Sequence, residues 1–184
     1  TIAIHQPNFM PWGPFFEKMM RCDIFVLLYH CQFEKNNYQN RFFMDDHWYT
    51  MSVSKKTEMI IEKKYLNPFE DWQKITRKLP QYDYFLSRLT QDIDDQLWAT
   101  NTRIIKRIAD FLNIHTVIVN DYMTSLTGTD RLVDICKTYE ADTYLSGPSG
   151  KEYLDISKFE KEGIQVKFHE NKIKEPILKC LTVL

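Results

Sequence analysis

The chain reads as a three-layer α/β protein, with a mainly parallel sheet, helices on both faces and a small antiparallel insertion. Three observations predict this. Short apolar runs at 2–4, 24–28, 115–119, 142–145 and 164–168 have the length and residue types of buried strands. Segments of helical periodicity separate them, and strands that alternate with helices call for a parallel sheet. Residues 41–62 break the rhythm with runs of alternating polarity, the pattern of a hairpin.

Ile2-Ala3-Ile4 is the first strand, and Pro7 and Pro11 hold the loop after it extended or in turns. Trp12 to Arg21 reads as a helix whose apolar stripe is Phe15, Phe16, Met19 and Met20. The unbroken run Ile24 to Leu28 fits a strand covered on both faces, which completes a βαβ unit. Residues 30–41 are polar, with Phe33 and Tyr38 interleaved. Arg41 to Met44 and Trp48 to Val53 form the hairpin around Asp45-Asp46-His47, and Glu58 to Glu62 is expected to add a third short strand.

From Asn67-Pro68 the pattern turns helical: Phe69, Trp72, Ile75 and Leu79 up to Pro80, then Tyr84 to Leu89, then a long amphipathic segment from Asp92 to Leu112. His115 to Asn120 is a β-branched strand, and Gly128 to Tyr139 a helix capped by Thr129 or Asp130. A strand at 141–145 leads into Ser146-Gly147-Pro148-Ser149-Gly150. A short helix is expected to end at Phe159, before the strand Ile164 to Phe168.

A length of 184 residues suits one domain, 1–184, with the insertion at about 41–62. The formal net charge of -1 and pI near 6.5 argue against broad capture of nucleic acid or acidic membranes. There is no apolar run of bilayer length and no basic-then-apolar leader, so no membrane insertion is expected. Cys22, Cys31, Cys136 and Cys180 lack metal or redox spacing, which fits reduced cysteines and a cytoplasmic location.

Two polar clusters carry the functional reading. Only five glycines occur in the chain, and two fall in the 146–150 turn. There they are expected to supply positive φ and close backbone approach, with Ser146, Ser149 and free N–H groups facing an anion or sugar hydroxyl. A plain strand-to-helix turn is the alternative. His5-Gln6-Pro7-Asn8 also follows a strand, and parallel strands open their carboxyl ends to one edge, so the two clusters should share a crevice. His5 is suited to general acid catalysis or to polarising a phosphoryl oxygen near neutral pH; the alternative is a histidine bonded to a neighbouring loop. Arg41 and Lys35 are candidate anion holders, or plain surface. Gln32, Gln39 and Asn40 suit sugar hydroxyls, with Trp12, Phe33 and Tyr38 as flat faces or as core, and Gln6, Asn8 and Tyr153 are further candidate substrate-binding residues. Cys31 is a candidate nucleophile or an inert thiol.

His5, His30, His47, His115 and His169 share no ligand spacing, so no metal is expected. The chain lacks a P-loop and a G-x-G-x-x-G fingerprint, which leaves the cofactor unknown.

His5-Gln6-Pro7-Asn8, Pro11-Trp12, Phe16-Glu17-Lys18, Gln32-Phe33, Gln39-Asn40-Arg41 and Tyr144 to Gly150 with Tyr153-Leu154 resemble the WbqC-like family, in that family's order and from residue 2 to about 170. Two departures stand out. Tyr29-His30-Cys31 lies where members usually carry acidic residues, and members commonly extend further at the carboxyl end. The resemblance implies a role in bacterial surface-polysaccharide or O-antigen biosynthesis, as a transferase on a sugar nucleotide or other activated small molecule. A non-catalytic glycan- or nucleotide-binding accessory protein is the alternative. At fold level the opening also resembles pantothenate synthetase and other nucleotidyl-transferring proteins, which is analogy only.

Overall fold

A computed structural model describes residues 1–181. Five strands, β1 (Ile2–His5), β2 (Ile24–Leu27), β5 (Val117–Asn120), β6 (Thr143–Ser146) and β7 (Gln165–Phe168), form one parallel sheet in the order β5-β2-β1-β6-β7. The register sets Ile2 beside Ile24 and His5 beside Leu27. The order steps outward from β1 to β2 and β5, then returns to the other side with β6 and β7. The chain therefore reverses direction between β1 and β6. In open parallel sheets that is where a crevice forms beyond the carboxyl ends.

The strands are apolar throughout because both faces are covered. Ala3, Phe25 and Leu27 pack into a core with α1 (Gly13–Met19) and α4 (Leu97–Phe111). Their neighbours Ile2, Ile4 and Val26 point the other way, into a core with α5 (Gly128–Thr138) and Phe159 of α7 (Ile156–Lys161). This alternation within single strands builds three layers around one sheet.

The insertion opens with β3 (Arg41–Met44) and β4 (His47–Thr50), paired antiparallel. Asp45 and Asp46 take φ of 49° and 61°, the two left-handed residues that a tight hairpin turn needs. The expected third strand at 58–62 is instead a 3₁₀ turn at Ile60–Glu62. Its Ile60 and Ile61 N–H groups are taken by the Cys31 and Tyr29 carbonyls, so the segment joins the chain after β2 and not the hairpin. Helices α2 (Pro68–Lys78) and α3 (Asp83–Leu89) follow, burying Trp72, Ile75, Leu86 and Leu89.

Helix α4 starts at Leu97, later than the periodicity suggests. A 3₁₀ turn at Thr90–Asp92 comes first, and Lys64 pairs with Gln96 in a single β-bridge. Extended Thr127, and not Thr129 or Asp130, holds the N-cap position of α5, with no side-chain cap hydrogen bond and with Gly128 at φ 54°. The short helices α6 (Gly150–Tyr153) and α8 (Ile177–Leu181) complete the described chain, and α7 runs two residues past Phe159. Among the described residues no helix is long and apolar enough to cross a membrane.

Candidate functional site

Beyond the carboxyl ends of β1 and β6 lie two adjoining hollows, a cleft of about 850 Å³ and a recess of about 330 Å³. His5, Tyr144, Ser149 and Tyr153 line both, so these residues form the shared wall. The two polar clusters meet here because β1 and β6 are adjacent and parallel.

His5 is the last residue of β1 and is partly buried. Its Nδ1 lies 2.9 Å from the Gln6 carbonyl oxygen. A carbonyl only accepts, so Nδ1 carries the hydrogen and Nε2 carries the lone pair. The ring packs edge-on to Phe15, with centroids 4.9 Å apart. Burial, and then the nearby Lys18 ammonium, push its pKa down to about 3 against the Gln6 bond. At neutral pH His5 is an unprotonated acceptor, which differs from the residue titrating near neutrality that an exposed loop histidine would be.

Gln6 donates to Cys31 Sγ at 3.5 Å and accepts from Gln39 Nε2 at 2.5 Å. Burial pushes the Cys31 thiol up to about 11, so it is held as the thiol at neutral pH. Gln32 lines the cleft, its amide donating to the Glu58 carbonyl at 2.7 Å. The exposed Trp12 lines the recess, as does Gly147.

Other residues singled out in the sequence go elsewhere. Asn8 is buried and lines neither hollow. Asn40 is buried too, its amide donating to the Met51 carbonyl at 2.7 Å to pin the hairpin. Ser146 is buried behind the turn. Neither Gly147 nor Gly150 has positive φ; Gly128 and Gly163 do. Gly150 is needed instead for its close approach to Ser146. Lys35 is exposed outside both hollows. Arg41 lies over the Trp48 ring at 3.9 Å and donates to the Asn36 carbonyl, also outside both.

Charged residues that sequence reasoning missed, and not Arg41 or Lys35, line the two hollows. Arg131 of α5 lines the cleft, and its guanidinium pairs with the buried Asp121 carboxylate and donates to the His30 carbonyl. Asp121 also accepts from the Tyr29 N–H at 2.9 Å, the His30 N–H at 3.1 Å and the His30 ring at 3.0 Å. That network ties the segment after β2 to α5 and fixes one wall. Lys18 of α1 lines the recess. The signal for it was present: Lys18 falls three residues after Phe15 and one before Met19, inside the apolar stripe. Glu34 is the one carboxylate among the described residues lining either hollow.

The model of the WbqC-like protein family matches residues 6–176 of the chain. The chain belongs to the WbqC-like family. The matched span holds every residue lining the two hollows except Ile4 and His5. An uncharacterized protein of Mycobacterium tuberculosis, Rv1507c, is 27% identical over 184 residues, which cover 90% of this chain and 80% of the relative. No solved structure matches this chain significantly.

Proposed function

We propose that this WbqC-like protein is a transferase of bacterial surface-polysaccharide biosynthesis, acting on a sugar nucleotide or another activated small molecule. The observation that carries the reading is His5, set at the strand-order reversal between β1 and β6 with its tautomer held by the Gln6 carbonyl. Ligands of doubly wound sheets sit at this place, and a cleft of about 850 Å³ is of ligand-pocket size. With Nδ1–H engaged, Nε2 accepts a hydrogen bond, or a proton, from an attacking substrate hydroxyl. Gln6 and Gln32 offer amides to sugar hydroxyls, while Tyr153, and Trp12 in the recess, offer flat faces. In a transfer of this kind, fixed donors and charges lower the barrier without a covalent nucleophile.

One observation favours a second reading, a non-catalytic glycan- or nucleotide-binding accessory protein. The hollows pair a strongly desolvated histidine with a Cys31 held as its thiol, so neither is an activated catalyst in the free protein. Turnover separates the two. The purified protein is incubated with a panel of sugar nucleotides, with and without ATP and acyl or aminoacyl donors, while calorimetry follows binding. Product lost in His5→Gln supports the transferase. Binding without product supports the accessory protein, and neither product nor binding removes both.

A further inference from the structure

We propose that Lys18 is the counter-charge for a phosphate group, held in the recess between β1 and β6 beside the larger cleft. The inference rests on the reading of this sheet edge as a substrate site. Lys18 is only 4% exposed, yet among the described residues its ammonium makes a single hydrogen bond, to the Ile4 carbonyl at 3.3 Å. No carboxylate lies within ion-pair distance of it among the described residues. The neighbouring Glu17 is committed elsewhere, to Arg21 and to the Lys172 and Ile173 N–H groups.

Other buried cations differ. Arg131 is paired with Asp121, and Lys63 lies 3.8 Å from a Glu58 oxygen. Removing an ammonium from water without a counter-ion is costly, and the Phe25 ring 5.5 Å away offsets only part of that cost. Burial pushes the Lys18 pKa down to about 8, a value at which the amine keeps its proton at neutral pH. An arriving anion supplies the missing partner.

The surroundings fit a phosphate. Gly147 and Ser149 line the same recess, and their N–H groups make no hydrogen bond within the chain among the described residues. A Cβ on Gly147 would meet open space, so the backbone there is bare to a ligand. Since the recess and the cleft share one wall, a single nucleotide-linked substrate can set its phosphate against Lys18 and its sugar in the cleft. Neutralising Lys18 would also relieve its effect on His5, so that phosphate binding prepares His5 to take up a proton.

Inorganic pyrophosphate is the probe, titrated calorimetrically at low ionic strength into the full chain and its variants. Wild type should bind it. Lys18→Met, which keeps the stem and removes the charge, should bind at least about tenfold more weakly. Gly147→Ala should also weaken it, while circular dichroism shows an intact fold. If Lys18→Met does not fold, wild type still decides: pyrophosphate should raise the pKa of His5, read from its ring resonances assigned with His5→Gln. Absence of pyrophosphate binding, equal binding by Lys18→Met, or an unmoved His5 overturns the proposal. Sugar-nucleotide binding that survives such a result would leave the cleft reading standing and remove only Lys18 from it.

Discussion

A Cβ on Gly150 would run into the Ser146 hydroxyl oxygen and stand 2.9 Å from Leu154 Cδ1. The turn closes so tightly after β6 that a Cβ there would have to push the Ser146 and Leu154 side chains aside, although the φ of Gly150 is unremarkable for any residue. Gly150→Ala should therefore destabilise the fold by about 1–3 kcal/mol, the usual cost of overpacking. Gly147→Ala should cost little by comparison, because its Cβ meets nothing within 4 Å. Urea midpoints of the two variants check the contrast; equal midpoints would show that the turn relaxes freely.

His5 predicts a pH dependence of stability. Its folded pKa of about 3 lies below the ordinary 6.5, through burial first and Lys18 second. Between those values the unfolded chain binds a proton that the folded chain does not. This contribution to stability is whole above about pH 6.5 and is lost progressively as pH falls toward 3. His5→Gln should flatten that part of the profile. The check is urea unfolding of both proteins at steps between about pH 7 and pH 5. Parallel curves would mean that His5 titrates normally.

How much of this was legible in the sequence depends on the range of the interaction. The β strands announce themselves locally, since Phe25-Val26-Leu27 is apolar on both faces and must be covered on both. That His5 and the 146–150 turn come together was legible for the same reason, because parallel strand ends share an edge, although Gln6 lines only the cleft and Gly147 only the recess. Arg41 was not. A basic residue in a polar stretch reads as an anion holder, and only the hairpin partner Trp48, opposite Phe43, shows where its guanidinium goes. Asp121 and Arg131 were illegible because their role is defined by Tyr29 and His30, 91 to 101 positions away in sequence. Gly150 was misread for a subtler reason: close approach, not positive φ, explains it.

Glu17 predicts a second, more acidic transition. Burial alone would raise its pKa, yet the Ile173 and Lys172 N–H bonds, with His169 and Arg21, hold it below the ordinary 4.5. A depressed carboxylate contributes stability that is present above its unfolded value and lost as pH falls through the folded one. Glu17→Gln removes the charge that these donors share and should destabilise by about 1–3 kcal/mol near neutral pH. The deficit should shrink as pH drops below 4.5, where wild type loses the same interaction. A deficit that stayed constant into acid would show that packing of the segment 169–173, and not the carboxylate, matters.

The wall of the cleft rests on Asp121 and Arg131, and their two removals should not be equivalent. Arg131→Met leaves Asp121 buried without its guanidinium but still bonded to the Tyr29 N–H, the His30 N–H and the His30 ring. Asp121→Leu leaves a buried guanidinium with only the His30 and Tyr122 carbonyls, and it also strands those two backbone N–H groups. Breaking a buried pair from one side costs about 3–5 kcal/mol. Asp121→Leu should lie at or above the top of that range and Arg131→Met near the bottom. The double variant should cost less than the sum, because no lone charge remains, yet more than Arg131→Met alone, because the N–H groups stay unpaired. Urea unfolding of the four proteins gives the cycle. A double variant as stable as wild type would mean that the backbone bonds to Asp121 contribute nothing, and that the pair serves only to neutralise itself.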